Sequence, residues 1–271
     1  MMLKTEMRNP NTMHIDQMST AEMLQCIQNE NRRAVNALDD QLPALTQAVD
    51  AIAARMQQGG RLFYIGCGTS GRLGVLDAAE CPPTYGVPHG LVIGIIAGGD
   101  RALRFAAENA EDNFESGYGD LNAYDLTEQD SVVGISAAGG AKYVLGALHL
   151  AEKKGALRIA VTSNADTPLE HAAQIAICPD TGAEVITGST RMKAGTAHKM
   201  ILNMLSTAVM IRLGHVYENL MINLKPTNEK LEQRMVHMVC DICGVESDVA
   251  LQLLKTHDFS IREAVASYQN R

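Results

Sequence analysis

Leu62-Phe63-Tyr64-Ile65-Gly66-Cys67-Gly68-Thr69-Ser70-Gly71-Arg72 is the stretch on which the fold turns. Four apolar residues of strand character run straight into a glycine-rich turn, and a helical pattern follows at once. Strand, glycine turn and helix in that order open a parallel α/β sheet. Gly66 and Gly68 carry no side chain, so the backbone can approach an anion closely. Thr69 and Ser70 add hydroxyls, and the helix start adds partial positive charge. The lysine of a P-loop is missing. Glycines at 66, 68 and 71 do fit the G-x-G-x-x-G spacing of a dinucleotide site. Such a site expects an acidic residue about twenty residues on, whereas Asp100, at the end of the next strand, comes about thirty residues on. The pair Thr69-Ser70 suits a phosphate monoester better than a pyrophosphate. From spacing alone, a nucleotide and a ligand-free turn both stay open.

Outward from this unit, the strand rhythm repeats. Leu91–Ile96, Ser131–Ser136, Leu157–Thr162 and Ile175–Cys178 are further apolar runs, with helical stretches such as Tyr143–Lys154 between several of them. The fold class this predicts is α/β, a five-stranded parallel sheet sandwiched by helices, with ligands at the carboxyl ends of the strands. Upstream, Ser19 and Glu22 form a capping-box pattern, and apolar spacing predicts helix from there to Gln58, stopped by Gly59-Gly60. Downstream, a Met- and Leu-rich helix spans Thr190 to Gly214, and its methionines read as core or interface. Pro226 reads as the opening of a helix to about Cys243, and two short helices split near His257-Asp258 complete a C-terminal helical appendage. The expected division is an N-terminal helical segment at 1–51, the parallel-sheet domain at 52–215 and a C-terminal helical region at 216–271.

Composition sets the outer limits. A chain of 271 residues with 46% hydrophobic and 20% charged residues has the balance of a soluble globular protein. A net charge of −8 argues against nucleic acid or an anionic membrane as partner, since both need a basic face. No apolar run reaches membrane-spanning length, and Met1–Asp16 is too polar for a signal peptide. Six scattered cysteines fit a reducing cytoplasm rather than a disulfide framework. Cys240 and Cys243 form a lone C-x-x-C pair with no second pair to complete a metal site, so no metal is expected.

Longer strings carry a resemblance. The run from Gly66 to Thr84, with Glu80-Cys81-Pro82-Pro83 near its end, resembles the N-acetylmuramic acid 6-phosphate etherases, which carry a sugar isomerase (SIS) domain. So does Gly182–Ala197, a signature shared with glucokinase regulatory proteins. Thr5-Glu6, Arg8-Asn9-Pro10, Ile15-Asp16, Asn219-Leu220-Met221 and Thr227-Asn228-Glu229-Lys230-Leu231 are similar too. The resemblance implies a carbon–oxygen lyase that removes a D-lactyl ether, giving N-acetylglucosamine 6-phosphate and D-lactate, without metal or organic cofactor. It also implies a homodimer acting on a small sugar phosphate. The family's two catalytic glutamates fall on Glu80 and on Glu111, within Glu108-Asn109-Ala110-Glu111-Asp112. Gly68, Thr69, Ser70, Ser136, Gly139, Ser189, Thr190, Arg191 and Lys193 are the implied substrate-binding positions. His198, one helical turn beyond Ala194, reads as core or interface.

One loop departs from the family. Ala138-Gly139-Gly140-Ala141-Lys142 stands where the resemblance implies a Ser-Gly-Arg-Thr-Pro run, so two hydroxyls that the family resemblance assigns to the phosphate are missing. Two lost hydrogen bonds to a charged group cost about 3–6 kcal/mol if nothing replaces them. Ser136 and Gly139 remain, and Lys142 offers a replacement charge. The alternative reading is a weakened or non-catalytic relative that senses a sugar phosphate.

Overall fold

A computed structural model describes residues 3–107, 109–224, 226 and 228–269. Glu108 and Thr227, each part of a motif quoted above, lie outside them. The described chain divides into two compact units, Met1–Ala79 with Gly90–Val209, and Glu80–His89 with Met210–Arg271.

The first unit begins with short 3-10 turns and then α1 (Thr20–Asn36) and α2 (Leu42–Met56). Ser19 and Glu22 close a reciprocal capping box on α1. The single helix expected as far as Gln58 is broken between α1 and α2. Pro43 at the start of α2 has no N–H to continue the ladder, whereas the first helical turn needs none there. The sheet follows with β1 (Leu62–Gly66), α3 (Gly68–Tyr85), β2 (Val92–Ile96), α4 (Arg101–Arg104), α5 (Phe114–Asn122), β3 (Ser131–Ile135), α6 (Lys142–Lys153), β4 (Leu157–Val161), α7 (Pro168–His171), β5 (Ile175–Ile177) and α8 (Lys193–Arg212). The five strands are all parallel in the order β2-β1-β3-β4-β5. The α/β class, the five strands and their flanking helices therefore stand as the sequence predicts.

Side chains alternate across the sheet. Phe63, Ile65, Val132 and Ala160 pack into one cluster with Leu121 of α5 and Val144, Ala147 and Leu148 of α6. Tyr64 points the other way, toward α3. The α5–α6 contact is close enough to need a glycine. A Cβ added at Gly146 would lie 2.0 Å from the Phe114 carbonyl oxygen. On the other face, α2 buries Leu45, Ala48, Val49, Ile52 and Met56 along one stripe and lies against β4 and β5.

The second unit contains α9 (Glu229–Cys243), α10 (Ser247–Thr256) and α11 (Ile261–Gln269). They share a core built from Met235, Val239, Leu253, Leu254, Ile261 and Val265. Asn228 caps α9, accepting a bond from the Leu231 amide, so the helix starts there and not at Pro226. The split between the last two helices falls at His257–Ser260, beside the predicted site. Cys240 and Cys243 are free, half-buried and packed against this core. Pro82 and Pro83 do not form a turn after Glu80. They lie inside α3, which runs on to Tyr85 before Gly86 ends it. Among the described residues, no helix is long and apolar enough to cross a membrane.

Candidate active site

Between β1 and β3 the chain order reverses, because β1 connects outward to β2 on one side while β3 lies on the other. Crevices at such switch points are where parallel sheets hold ligands. A cavity of about 220 Å3 opens there. Cys67, Gly68, Thr69 and Ser70 form one wall, at the tip of β1 and the first turn of α3. Ile135, Ser136, Ala137, Ala138 and Ala141 form the second, from the end of β3 to the start of α6. Thr190, Gly195 and His198 form the third, from the approach to α8 and its first turns. Glu111, on a short 3-10 turn after β2, completes the lining.

Five of the nine binding positions expected from sequence thus meet in one cavity: Gly68, Thr69, Ser70, Ser136 and Thr190. The Ser136 hydroxyl accepts a hydrogen bond from the Gly139 amide at 3.2 Å. Gly139 itself shapes the loop rather than its wall. Its φ of +71° is left-handed, and a Cβ there would collide with Thr167.

Ser189, Arg191 and Lys193 are not among the lining residues. Arg191 is exposed, and Ser189 is half-buried in the turn before α8. Lys193 is fully buried, and its ammonium donates to the Glu30 carboxylate of α1. Asn9 and Asn11 donate to the same carboxylate at 2.8 and 2.9 Å. Burial pulls the Glu30 pKa up, but bonds from Lys193, Asn11 and Asn9 and the ammonium's charge outweigh it. The net value lies below the ordinary carboxylate range. The amides at the start of α8 are also taken. The buried Glu184 carboxylate accepts from the Lys193 and Ala194 amides at 3.0 and 2.9 Å, so a side chain of the protein already caps this helix start. The starts of α3 and α6 also line the cavity.

Two lining residues were not expected from sequence to be functional. His198 is 1% exposed, and its Nε2 lies 3.1 Å from the Ser163 Oγ. Burial drops its pKa to about 4, so the imidazole is neutral at pH 7 and offers hydrogen bonding without charge. Cys67 is half-buried. Burial first, then the charges of Glu111 and Asp112, push its thiol up to about 12, so it stays protonated and is not a nucleophile at neutral pH. Neither residue stands out in sequence, since a histidine in a helix and a cysteine in a glycine turn are both ordinary.

Glu111 is exposed on the cavity wall. Glu80 belongs to the second unit, where it is exposed on the later half of α3. Charge in the first unit's site thus comes from one carboxylate, while hydroxyls and the amides of α3 supply anion-binding capacity.

Comparison with known proteins agrees with this fold. The model of the glucokinase regulatory protein N-terminal SIS domain matches residues 44–152, and that of the SIS domain matches residues 115–208. Two phosphoheptose isomerase structures share the fold. That of Neisseria gonorrhoeae aligns with a TM-score of 0.54 at 16% identity, over 70% of this chain and 99% of its own. That of Francisella tularensis aligns at 0.54 and 19%, over 71% and 98%. Sequence relatives are much nearer. The N-acetylmuramic acid 6-phosphate etherase of Serratia proteamaculans is 52% identical over 97% of this chain and 89% of its own length. That of Caldanaerobacter subterraneus is 51% identical over 97% and 86%. Identity at that level over nearly the whole chain goes well beyond a shared fold: the chain belongs to the N-acetylmuramic acid 6-phosphate etherase family.

Proposed function

We propose that this chain is an enzyme that cleaves the D-lactyl ether of N-acetylmuramic acid 6-phosphate, giving N-acetylglucosamine 6-phosphate and D-lactate. The observation that carries the reading is a hydroxyl-lined cavity at the sheet's switch point with Glu111 on its wall, in a chain of this family. Thr69, Ser70, Ser136 and Thr190 and the first amides of α3 bind the phosphate. The open-chain aldehyde acidifies carbon 2. A carboxylate removes that proton, lactate leaves from carbon 3, and water adds to the resulting double bond. Glu111 and Glu80 are the acid–base pair, which makes the reaction a lyase-type elimination followed by hydration. The working unit is a homodimer, for which light scattering is expected to give twice the chain mass.

Ala138 and Ala141 favour a second reading, a regulatory sensor of sugar phosphates. Both line the cavity, at positions where the family resemblance implies hydroxyls. Purified protein mixed with N-acetylmuramic acid 6-phosphate separates the two. D-lactate and N-acetylglucosamine 6-phosphate in equal amounts are expected. Binding without lactate release points to the sensor. Ala138→Ser with Ala141→Thr is expected to lower KM roughly tenfold or more, since each restored hydrogen bond to a charged group contributes about 1.5–3 kcal/mol. An unchanged KM removes the phosphate from that loop.

A further inference from the structure

A second cavity, of about 230 Å3, opens on the other side of the β1 tip, toward β2. It shares Cys67, Gly68 and Glu111 with the first, so Glu111 stands on a wall common to both. Its volume, like that of the first cavity, is below the ~300–1,000 Å3 of pockets for drug-sized ligands, so the two together have the size of one such site. Ala102 and Ala107 make part of its wall small and apolar, and Arg72 of α3 lines it. The Arg72 guanidinium is fixed in place: its Nε donates to the Leu103 carbonyl at 3.0 Å and its Nη2 to the Ala102 carbonyl at 2.8 Å.

These positions give the substrate a direction. The phosphate belongs with the hydroxyls of the first cavity, and Glu111 belongs at carbons 2 and 3. A group on carbon 3 then projects past Glu111, away from the phosphate. In the proposed substrate that group is a lactyl ether, which ends in a methyl and a carboxylate. The methyl fits an alanine wall. The carboxylate, brought close to Glu111 and Asp112, needs a cation to offset like-charge repulsion. A neutral acetamide needs none. We propose that the lobe lined by Arg72, Ala102 and Ala107 seats the D-lactyl group of the substrate, with the Arg72 guanidinium as counter-charge to its carboxylate. The inference rests on the etherase reading and adds the residues that select the leaving group.

The test compares N-acetylmuramic acid 6-phosphate with its lactamide analogue, in which the carboxylate is a neutral amide. Wild-type kcat/KM is expected to favour the carboxylate about tenfold or more, and Arg72→Gln to bring that ratio close to one. Ala107→Leu fills the lobe from an exposed position and leaves the carbonyl clamp of Arg72 alone. It is expected to raise KM for the lactyl substrate roughly tenfold, as added bulk displaces the group. Inhibition by N-acetylglucosamine 6-phosphate, which has the acetamide but no lactyl group, is expected to stay at the wild-type value. Should Arg72→Gln fail to fold, the Ala107→Leu comparison decides by itself. Product inhibition that weakens along with KM puts the acetamide in the lobe and overturns the proposal. So does a carboxylate preference unchanged in Arg72→Gln. Wild-type protein that releases no D-lactate and binds neither sugar phosphate overturns the etherase reading as well, whereas normal turnover with unchanged ratios overturns the lobe assignment alone.

Discussion

Glu111→Gln is expected to cut D-lactate release by about 10²–10⁴-fold, the range that a positioned acid or base contributes. The side chain is exposed on the wall common to both cavities, so its loss leaves no hole and strands no buried partner. The free energy of unfolding is therefore expected to stay within about 0.5 kcal/mol of wild type. A local check accompanies the kinetic one. The Glu111 charge helps to hold the Cys67 thiol high, behind burial as the main cause. Removing that charge is expected to lower the thiol pKa, read as faster alkylation of Cys67 at alkaline pH. Glu80→Gln is expected to match the kinetic loss without touching the thiol. Wild-type turnover in either variant sinks the acid–base assignment, whatever the thiol does.

The largest expected effect on stability lies at Lys193. Lys193→Met removes the cation and leaves the Glu30 carboxylate buried among Asn9 and Asn11. Breaking a buried ion pair from one side costs about 3–5 kcal/mol. At roughly 2–4 °C per kcal/mol for a domain of this size, Tm is expected to drop by about 10 °C. Glu30→Leu combined with Lys193→Met removes both charges and is expected to recover much of the loss. Acidity gives a second readout. The folded Glu30 pKa is lowered, so its contribution is fully present above the ordinary carboxylate pKa and disappears as pH falls through the lowered value. With the ammonium gone, burial favours the protonated acid. The deficit of Lys193→Met is therefore expected to shrink between pH 7 and pH 4. A deficit that is constant across that range, measured by urea unfolding, rules out an ionic origin.

Legibility followed the range over which each feature is determined. The Leu62–Gly66 strand, the glycine turn after it and the helix it opens were all readable, because propensity and side-chain alternation act between near neighbours. The capping box at Ser19 was readable for the same reason. The break before Pro43 was available in the sequence, but an uninterrupted apolar stripe across α1 and α2 outweighed it. Thr5, Asn9 and Thr12 belong to the polar Met1–Asp16 stretch. In the fold all three are buried, with Asn9 and Thr12 bonded to the Ala183 and Val185 carbonyls. No composition rule marks polar residues in an irregular segment as core.

The sequence by itself determined the five parallel strands, the glycine turn that opens α3 and the family strings that single out Glu80 and Glu111. Each of these is written in neighbouring residues. Only the tertiary structure decided which charges and polar groups face the ligand. Lys193 sits in a basic, hydroxyl-rich motif, yet its ammonium is turned inward to a carboxylate 163 residues away in the chain. Glu184 occupies the first amides of α8. His198 came to the cavity wall, and Arg72 to the second lobe. The reason is that burial and pairing depend on which distant segments the packed sheet brings together, whereas helix and strand depend on a few residues on either side.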